Sequence, residues 1–313
     1  MKATLLARQA VRPWVEKSEG RILIGVSGGA DSLALAIATR LEAHNREIIP
    51  VIIDHGLQEG SAEVASKTAQ ELLAHGFTNV EIIRVNVEMT DGLEASARRA
   101  RYKAFETIAE KYQSSLFFLG HTENDLAESV LLGLARGSGT RSLSGIAEVN
   151  GIFIRPFLST TRTTTEEVCR ENSLTPWNDP HNEDRQFARV RVRKDILPAM
   201  ERDLGPGISE ALARTSRILR EDADALDQLA EEFLQSEDRY SVDSLASLPK
   251  AVRVRALRAM IYSAGAPQGS LSADHIAPIE ALITAWHGQG ATSLPGGVKV
   301  ERISGRLSLS KQG

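Results

Sequence analysis

The stretch that most constrains this chain lies near its start. Residues 21–26 form an apolar run that breaks into Ser27-Gly28-Gly29-Ala30-Asp31-Ser32, and residues 33–41 then carry apolar side chains at helical spacing. A buried strand that turns sharply into a helix through two glycines is suited to holding a phosphate. The glycines let backbone N–H groups approach the oxygens, and the helix start adds unpaired donors. The hydroxyls of Ser27 and Ser32 offer two more. No Lys follows the glycines, which excludes the Walker loop, and the third glycine of a dinucleotide fingerprint is missing. A bare Gly-Gly pair would fit an ordinary turn with an Asp cap; the whole hexapeptide behind an apolar strand favours nucleotide binding at Ser27, Gly28, Gly29, Ala30, Asp31 and Ser32.

The rest of the first half repeats the pattern. Residues 48–53, 80–85 and 116–119 are further short apolar runs, and helix-length periodic segments lie at 30–44, 62–75, 93–112 and 124–135. Near-continuous hydrophobicity fits strands covered on both faces, so the alternation predicts an α/β fold with a doubly wound, mainly parallel sheet. Ligands of such sheets sit beyond the carboxyl ends of the strands. The Ser-Gly-Gly loop, Asp54-His55-Gly56-Leu57 and Gly120-His121-Thr122 all lie there, so three polar loops converge on one rim. A short run at 151–156 reads as one more strand, and Thr163-x-x-Glu166 reads as a capping box opening a helix to about Asn172. Residues 177–185 read as loop and the following segment as helix to about Pro198. Leu204-Gly-Pro-Gly207 marks the best boundary, between a domain at 1–204 and a smaller helical domain at 205–313. That second part holds three amphipathic helices, at 208–235, 251–263 and 274–285, and a terminal hairpin within 292–309.

The 313 residues are 42% hydrophobic and 25% charged, which is ordinary for a globular chain. The net charge of −4 advertises no general affinity for nucleic acid, so any such contact must be local. Cys169 stands alone, which rules out an internal disulfide or a Cys-x-x-Cys site and argues against an iron–sulfur cluster. No apolar signal core or run of 18 apolar residues occurs, so no membrane and cytoplasmic residence are expected.

On a helix, positions 121, 125 and 128 share one face, which lines up His121, Asp125 and Glu128 beside the nucleotide loop. Nucleotide phosphates are commonly handled with Mg²⁺, which favours one or two carboxylates plus phosphate oxygens. Asp31 and Asp125 can supply them. A helix terminus contributes ~0.3–1 kcal/mol, small against the ~8 kcal/mol or more that an enzyme removes from a barrier. Preorganised donors, metal and arginine must supply the rest, and Arg98-Arg99-x-Arg101 after the third strand is the nearest arginine cluster in the sequence.

The hexapeptide resembles the pyrophosphatase-type loop of the PP-loop ATPases, and a narrower resemblance runs through most of the first two-thirds of the chain. Asp54-His55-Gly56-Leu57, Glu94-x-x-x-Arg98-x-x-Arg101-Tyr102, and His121-Thr122-x-x-Asp125-x-x-Glu128 running into Leu132-x-x-x-Arg136-Gly137-Ser138-Gly139 resemble the tRNA(Ile)-lysidine synthetases. So do Arg155-Pro156-Phe157-Leu158, and Asp179-Pro180-x-Asn182-x-Asp184-x-x-Phe187-x-Arg189 up to Arg193 and Leu197-Pro198. Gln58, Ser129, Ser142 and Val190 depart from that pattern without touching the nucleotide loop. The resemblance implies an enzyme that uses ATP and Mg²⁺ to adenylate O2 of the wobble cytidine of tRNA(Ile) with a CAU anticodon. The ε-amine of free L-lysine then attacks C2, giving lysidine, AMP and diphosphate. It implies catalytic roles for Asp31, Arg98, His121 and Asp125, nucleotide contacts from the loop with Asp54 and His121, and Mg²⁺ on Asp31 and Asp125. It gives Glu128, Arg185, Arg189, Arg191 and Arg193 to tRNA or substrate, and admits a homodimer.

Only about one lysine amine in 2,500 is neutral at pH 7, so a carboxylate must draw the cation in and take its proton; Asp125 and Glu128 are both candidates. The segment 185–194 holds five cations with Phe187, as tRNA phosphates require, whereas Lys250, Arg253, Arg255 and Arg258 fit a solvated helix face at least as well. Trp177 can stack a base, but a core position suits it better. Ammonia-using ligases of the NAD or GMP synthetase kind would not need the His-Thr-x-x-Asp helix. Thiolases of the same superfamily need more cysteine than Cys169, and a nucleotide sensor would not need the carboxylate row.

Overall fold

The computed structural model describes residues 2–17, 19–44, 46–56, 60–87, 92–137 and 139–311, with the backbone alone at 93, 94 and 181. Leu57, Gln58, Ser138 and the side chain of Glu94, all quoted above, lie outside the described residues. The chain divides into two compact units, Met1–Ile218 and Leu219–Gly313.

The first unit is built on a six-stranded sheet. Its elements are α1 (Lys2–Glu16), β1 (Ile22–Gly25), α2 (Ala30–Glu42), β2 (Ile48–Asp54), α3 (Ser61–Ala74), β3 (Glu81–Arg84), α4 (Leu93–Tyr112), β4 (Phe117–Leu119) and α5 (Glu123–Ala135). They continue as α6 (Thr140–Leu143), β5 (Val149–Asn150), β6 (Phe153–Ile154), α7 (Arg162–Glu171), α8 (Ala188–Arg191), α9 (Leu197–Leu204) and the start of α10 (Ile208–Leu234). The strand order is β3-β2-β1-β4-β6-β5, parallel except for β5 on β6. The chain builds outward from β1 to β3, and α4 then carries it back to β4 on the other side of β1. The order therefore reverses between β1 and β4, and a crevice opens there at the carboxyl ends.

Period-2 alternation feeds two cores. Ile22, Ile24 and Phe118 pack with α1, α2, α3 and α7 on one face, while Leu23, Phe117 and Phe105 of α4 pack on the other. The third strand departs from the expected burial on both faces. It lies at the edge of the sheet, and Ile82 is 46% exposed. The α1 helix has no counterpart in the sequence reading. Its stripe Ala3, Ala7, Val11 and Val15 is buried against α2 and α7, and Glu42 of α2 holds Arg8 and Arg12. The helix expected to open at Thr163 begins two residues earlier, with Thr161 as its cap accepting from the Thr164 N–H. The helix expected to end near Pro198 runs on to Leu204. A π-helical turn over Val192–Ile196 precedes Pro198, whose ring would clash with the carbonyl four residues back in a regular helix.

The division between units falls inside α10, not at Gly205. Ile208, Leu212 and Ala213 of its first turns pack with Leu126, Leu158, Val192 and Leu197, which keeps that end of the helix with the first unit. In the second unit α11 (Val242–Ser247), α12 (Lys250–Ser263) and α13 (Ala273–Thr284) cover an antiparallel sheet of β7 (Thr292–Ser293), β8 (Val298–Ile303) and β9 (Arg306–Lys311). Leu245, Leu257, Ile279, Val298 and Val300 form its core. The terminal hairpin is β8–β9, turning through Ser304 and Gly305, both at positive φ. The basic face of α12 is largely internal to this unit. Arg253 donates to the carbonyls of Ala246 and Leu248 and to Glu280, Arg255 pairs with Asp227, and Arg258 donates to the carbonyl of Leu271. Among the described residues no helix is long and apolar enough to cross a membrane.

Ala7 is fully buried where α1 meets α2 and α7. Ala7→Leu should overpack that seam and cost about 1–3 kcal/mol in urea unfolding; an unchanged midpoint would show that the seam has room to spare.

Candidate nucleotide site

The loop after β1 is shaped by its own serines. Ser32 Oγ accepts from the Ser27 N–H at 3.1 Å and donates to the Gly29 carbonyl at 2.9 Å, while the two hydroxyls stand 3.3 Å apart. Ser32 thus braces the loop, and Ser27 is exposed at its crest. Gly28 has φ +85°, and a Cβ there would sit 2.6 Å from Thr68 Oγ1, so only glycine fits. Its carbonyl accepts from the Trp177 N–H at 2.9 Å, which ties the 173–179 segment to the loop; Trp177 is half-buried, not a core residue. No side chain caps α2 at Gly29, which leaves its start open to an anion. Gly120, just after β4, approaches α2 so closely that a Cβ would lie 3.1 Å from the Asp31 backbone. That approach closes the β1–β4 crevice onto the loop.

Asp54, at the end of β2, is buried and turned onto its own loop. It accepts from the Gly56 N–H at 2.9 Å, and hydrogen bonds from Ser61 and Gly56 hold its carboxyl below the usual range against the opposing effect of burial. The α4 arginines separate. Arg98 is exposed and lies 4.8 Å over the ring of Tyr102, and the Tyr102 hydroxyl also accepts from buried Arg155 at 3.2 Å. Arg101 is the one whose charge is felt at both His55 and His121. Burial, aided by Arg155, Arg189 and Arg101 and opposed by Asp125, pushes His121 down to about 3, so it is a neutral imidazole at pH 7. Its buried Nδ1 has no hydrogen-bond partner among the described residues.

Asp125 and Glu128 share one face of α5 as their spacing predicts, whereas His121 lies before the cap Thr122, in the loop that leads into the helix and not on it. Thr122 and Asp125 make a capping box at the start of α5, with Asp125 Oδ2 accepting from the Thr122 N–H at 2.8 Å and from its hydroxyl at 3.0 Å. Burial alone would raise the Asp125 carboxyl, but Arg162 and Arg189 outweigh it and hold the group low. Glu128 is fully buried, with Arg193 at 2.6 Å on one oxygen and 3.0 Å on the other and Arg189 at 2.9 Å. Arg189 and Arg193 therefore face inward, onto α5. Arg185 and Arg191 stay on the surface, the first paired with Asp195 and the second donating to the carbonyls of Arg185 and Gln186.

The residue the sequence reading missed is Arg162. As the first residue of α7, it touches all three carboxylates: Asp31 at 3.3 Å, Asp125 at 3.1 Å and Glu128 at 3.5 Å. Its backbone N–H donates to Asn124 Oδ1 at 2.9 Å, and Thr165, one turn on, donates to Asp31. Asp31 itself is raised by burial, which outweighs Arg162 and Thr165. Taking Thr163 as the cap left Arg162 outside the helix; a cap at Thr161 would have flagged it as a first-turn residue. Among the described residues no cluster of three or more His, Cys, Asp or Glu side chains is arranged to hold a metal. Asp31 and Asp125 nonetheless present hard oxygen donors to one shared cation, the guanidinium, and so fit a Mg²⁺ that brings phosphate oxygens with it. Cys169 is buried, its thiol pushed up to about 12 chiefly by burial, and so is unsuited to nucleophilic or redox work.

A family model described as a PP-loop domain matches residues 3–200, and one described as a TilS substrate binding domain matches residues 241–308. The tRNA(Ile)-lysidine synthase of Thermobifida fusca (strain YX) is 46% identical over 295 residues, covering 92% of this chain and 91% of that protein. That of Leifsonia xyli subsp. xyli (strain CTCB07) is 47% identical over 298 residues, covering 92% and 89%. Among solved structures, the U34-tRNA thiolase NcsA from Methanococcus maripaludis with its [4Fe-4S] cluster aligns with a TM-score of 0.58 at 15% identity, covering 70% of this chain and 80% of that one. That is a likeness of fold alone.

A histidine held neutral makes stability fall on the acid side. From about pH 6.5 downward the unfolded chain takes up a proton that folded His121 refuses until about 3. The free energy of urea unfolding should therefore drop between pH 6.5 and 4, and less steeply in His121→Asn. Equal slopes in the two proteins would mean that His121 titrates normally.

Proposed function

The chain belongs to the tRNA(Ile)-lysidine synthase family, and from that membership we propose that its β1–β4 crevice joins L-lysine to C2 of the wobble cytidine of tRNA(Ile) bearing a CAU anticodon, at the expense of ATP. The observation that carries the reading is the convergence of the glycine loop, the open start of α2 and the side chains of His121, Asp125 and Glu128 on one rim. The loop and the α2 amides receive the triphosphate. Asp31 and Asp125 are the groups that would hold Mg²⁺, and a bound Mg²⁺ would supply charge stabilisation for a leaving diphosphate. Neutral His121 can give or accept a hydrogen bond at the nucleotide without adding charge to it. Arg101, whose field reaches that rim, suits the stabilising role that the sequence gave to its neighbour Arg98.

Asp125 is better placed than Glu128 to meet lysine. Its side chain keeps 12% exposure, whereas that of Glu128 has none and is committed to arginine. Held low, Asp125 stays ionised and draws the ammonium in. Transfer of the proton from an ammonium to a carboxylate held low is strongly uphill before attack. It is completed as the carbon–nitrogen bond forms and the amine becomes acidic.

The surface arginines Arg185 and Arg191 contribute phosphate contacts, and the second unit grips the tRNA, consistent with its match to a substrate binding domain. With tRNA as substrate, the enzyme works in the cytoplasm.

The test supplies ATP, labelled lysine and unmodified tRNA(Ile) with a CAU anticodon, with initiator and elongator tRNA(Met) as controls. Label should enter tRNA(Ile) alone, with AMP released. Incorporation into no tRNA, or release of ADP, would overturn the proposal. Asp31→Asn and Asp125→Asn should each lower diphosphate release at least 100-fold while the fold, followed by circular dichroism, persists.

A further inference from the structure

Six charges meet at the rim: Asp31, Asp125 and Glu128 against Arg162, Arg189 and Arg193. With all six ionised the cluster is neutral, so a divalent cation entering alone would leave it at +2. Bringing a nucleoside triphosphate of about −4 with the metal reverses that imbalance. Arg162 differs from the other two arginines. Arg189 and Arg193 have their closest bonds to the fully buried Glu128, while Arg162 alone reaches Asp31 and bridges it to Asp125.

We propose that Arg162 is a positioning residue that stands in for the metal between Asp31 and Asp125 until nucleotide arrives, and so makes divalent-cation binding depend on the nucleotide. The inference rests on the Mg²⁺-dependent reading above. Two features favour a displaceable contact. The guanidinium meets Asp31 at 3.3 Å and Glu128 at 3.5 Å, longer than the 2.6–3.0 Å bonds that fix Arg189 and Arg193. Asp31 also keeps a second anchor in Thr165, so it holds its place when the guanidinium leaves. A Coulomb contact at these distances is large even in a partly solvated site, so removing one positive charge must change cation affinity markedly.

The experiment titrates Mn²⁺ into nucleotide-free protein and follows free Mn²⁺ by electron paramagnetic resonance, a readout that needs no turnover. Arg162→Gln should bind Mn²⁺ at least tenfold more tightly than wild type. Arg162→Lys, which keeps the charge, should stay near wild type, and Arg162→Gln with Asp125→Asn should return to it. Equal Mn²⁺ affinity in wild type and Arg162→Gln overturns the proposal. A second measurement stands if the Gln variant fails to fold. In wild type labelled with ¹⁵N-arginine, the Arg162 Nε–H resonance, assigned by its loss in Arg162→Lys, should move with Mg²⁺ plus a non-cleavable α,β-methylene ATP and not with Mg²⁺ alone. A resonance indifferent to the nucleotide, or one that moves fully with Mg²⁺ alone, also overturns it. Neither measurement depends on tRNA or lysine, so failure of the ligation assay and failure of this inference are read separately.

Discussion

The ionic cluster on Glu128 ties together parts of the first unit that are far apart in the chain. A fully buried carboxylate is tolerable only when its charge is matched and its lone pairs are filled. Glu128 meets that condition by drawing in Arg189 and Arg193 from the segment around the π-helical turn and Arg162 from the start of α7. Arg162 in turn reaches Asp31 at the start of α2. Four helices, α2, α5, α7 and α8, and the turn are thereby fixed at the carboxyl end of the sheet by charges that cannot be left unpaired. Such a cluster adds little net stability for the desolvation it requires. What it does provide is a preorganised polar site at the crevice, where a transition state that spreads negative charge over phosphate needs one.

The sheet supplies the other half of that preorganisation. Parallel strands fully buried on both faces hold β1 and β4 side by side, and Gly120 lets the end of β4 come against the backbone of Asp31. The glycine loop and the carboxylate row therefore belong to one rigid edge. Gly28, at a φ open to glycine and pressed on Thr68, fixes the loop from behind. Ser32 spends its proton inside the loop, which leaves the backbone amides and Ser27 as its outward-facing donors.

Much of this was legible along the chain. The apolar runs marked five of the six strands of the sheet, missing the two-residue exposed β5, and the helix spans from α2 to α5 were met to within two residues. Periodicity also placed Asp125 and Glu128 on one face of α5, where they are found. The α1 helix escaped because its stripe is of alanine and valine and Pro13 lies inside it, so its formation rests on packing against α2 and α7, which overrides local preference. The edge position of β3 escaped because an apolar run reads alike at the middle and the margin of a sheet. The boundary at Gly205 was a sound turn signal, but which unit a helix end packs against is decided by side chains elsewhere in the chain.

The sequence by itself determined that a strand enters a glycine turn and a helix, that further strands repeat around it, and that carboxylates recur at helical spacing; these depend on neighbours within a few residues. Only the tertiary structure decided which cations answer those carboxylates. Arg189 and Arg193, spaced like an exposed basic row, turn inward to Glu128, Arg98 lies over the ring of Tyr102, and Arg162 joins Asp31 across 131 residues of chain. Partners in a charge cluster are chosen by burial and distance in space, and a linear pattern records neither.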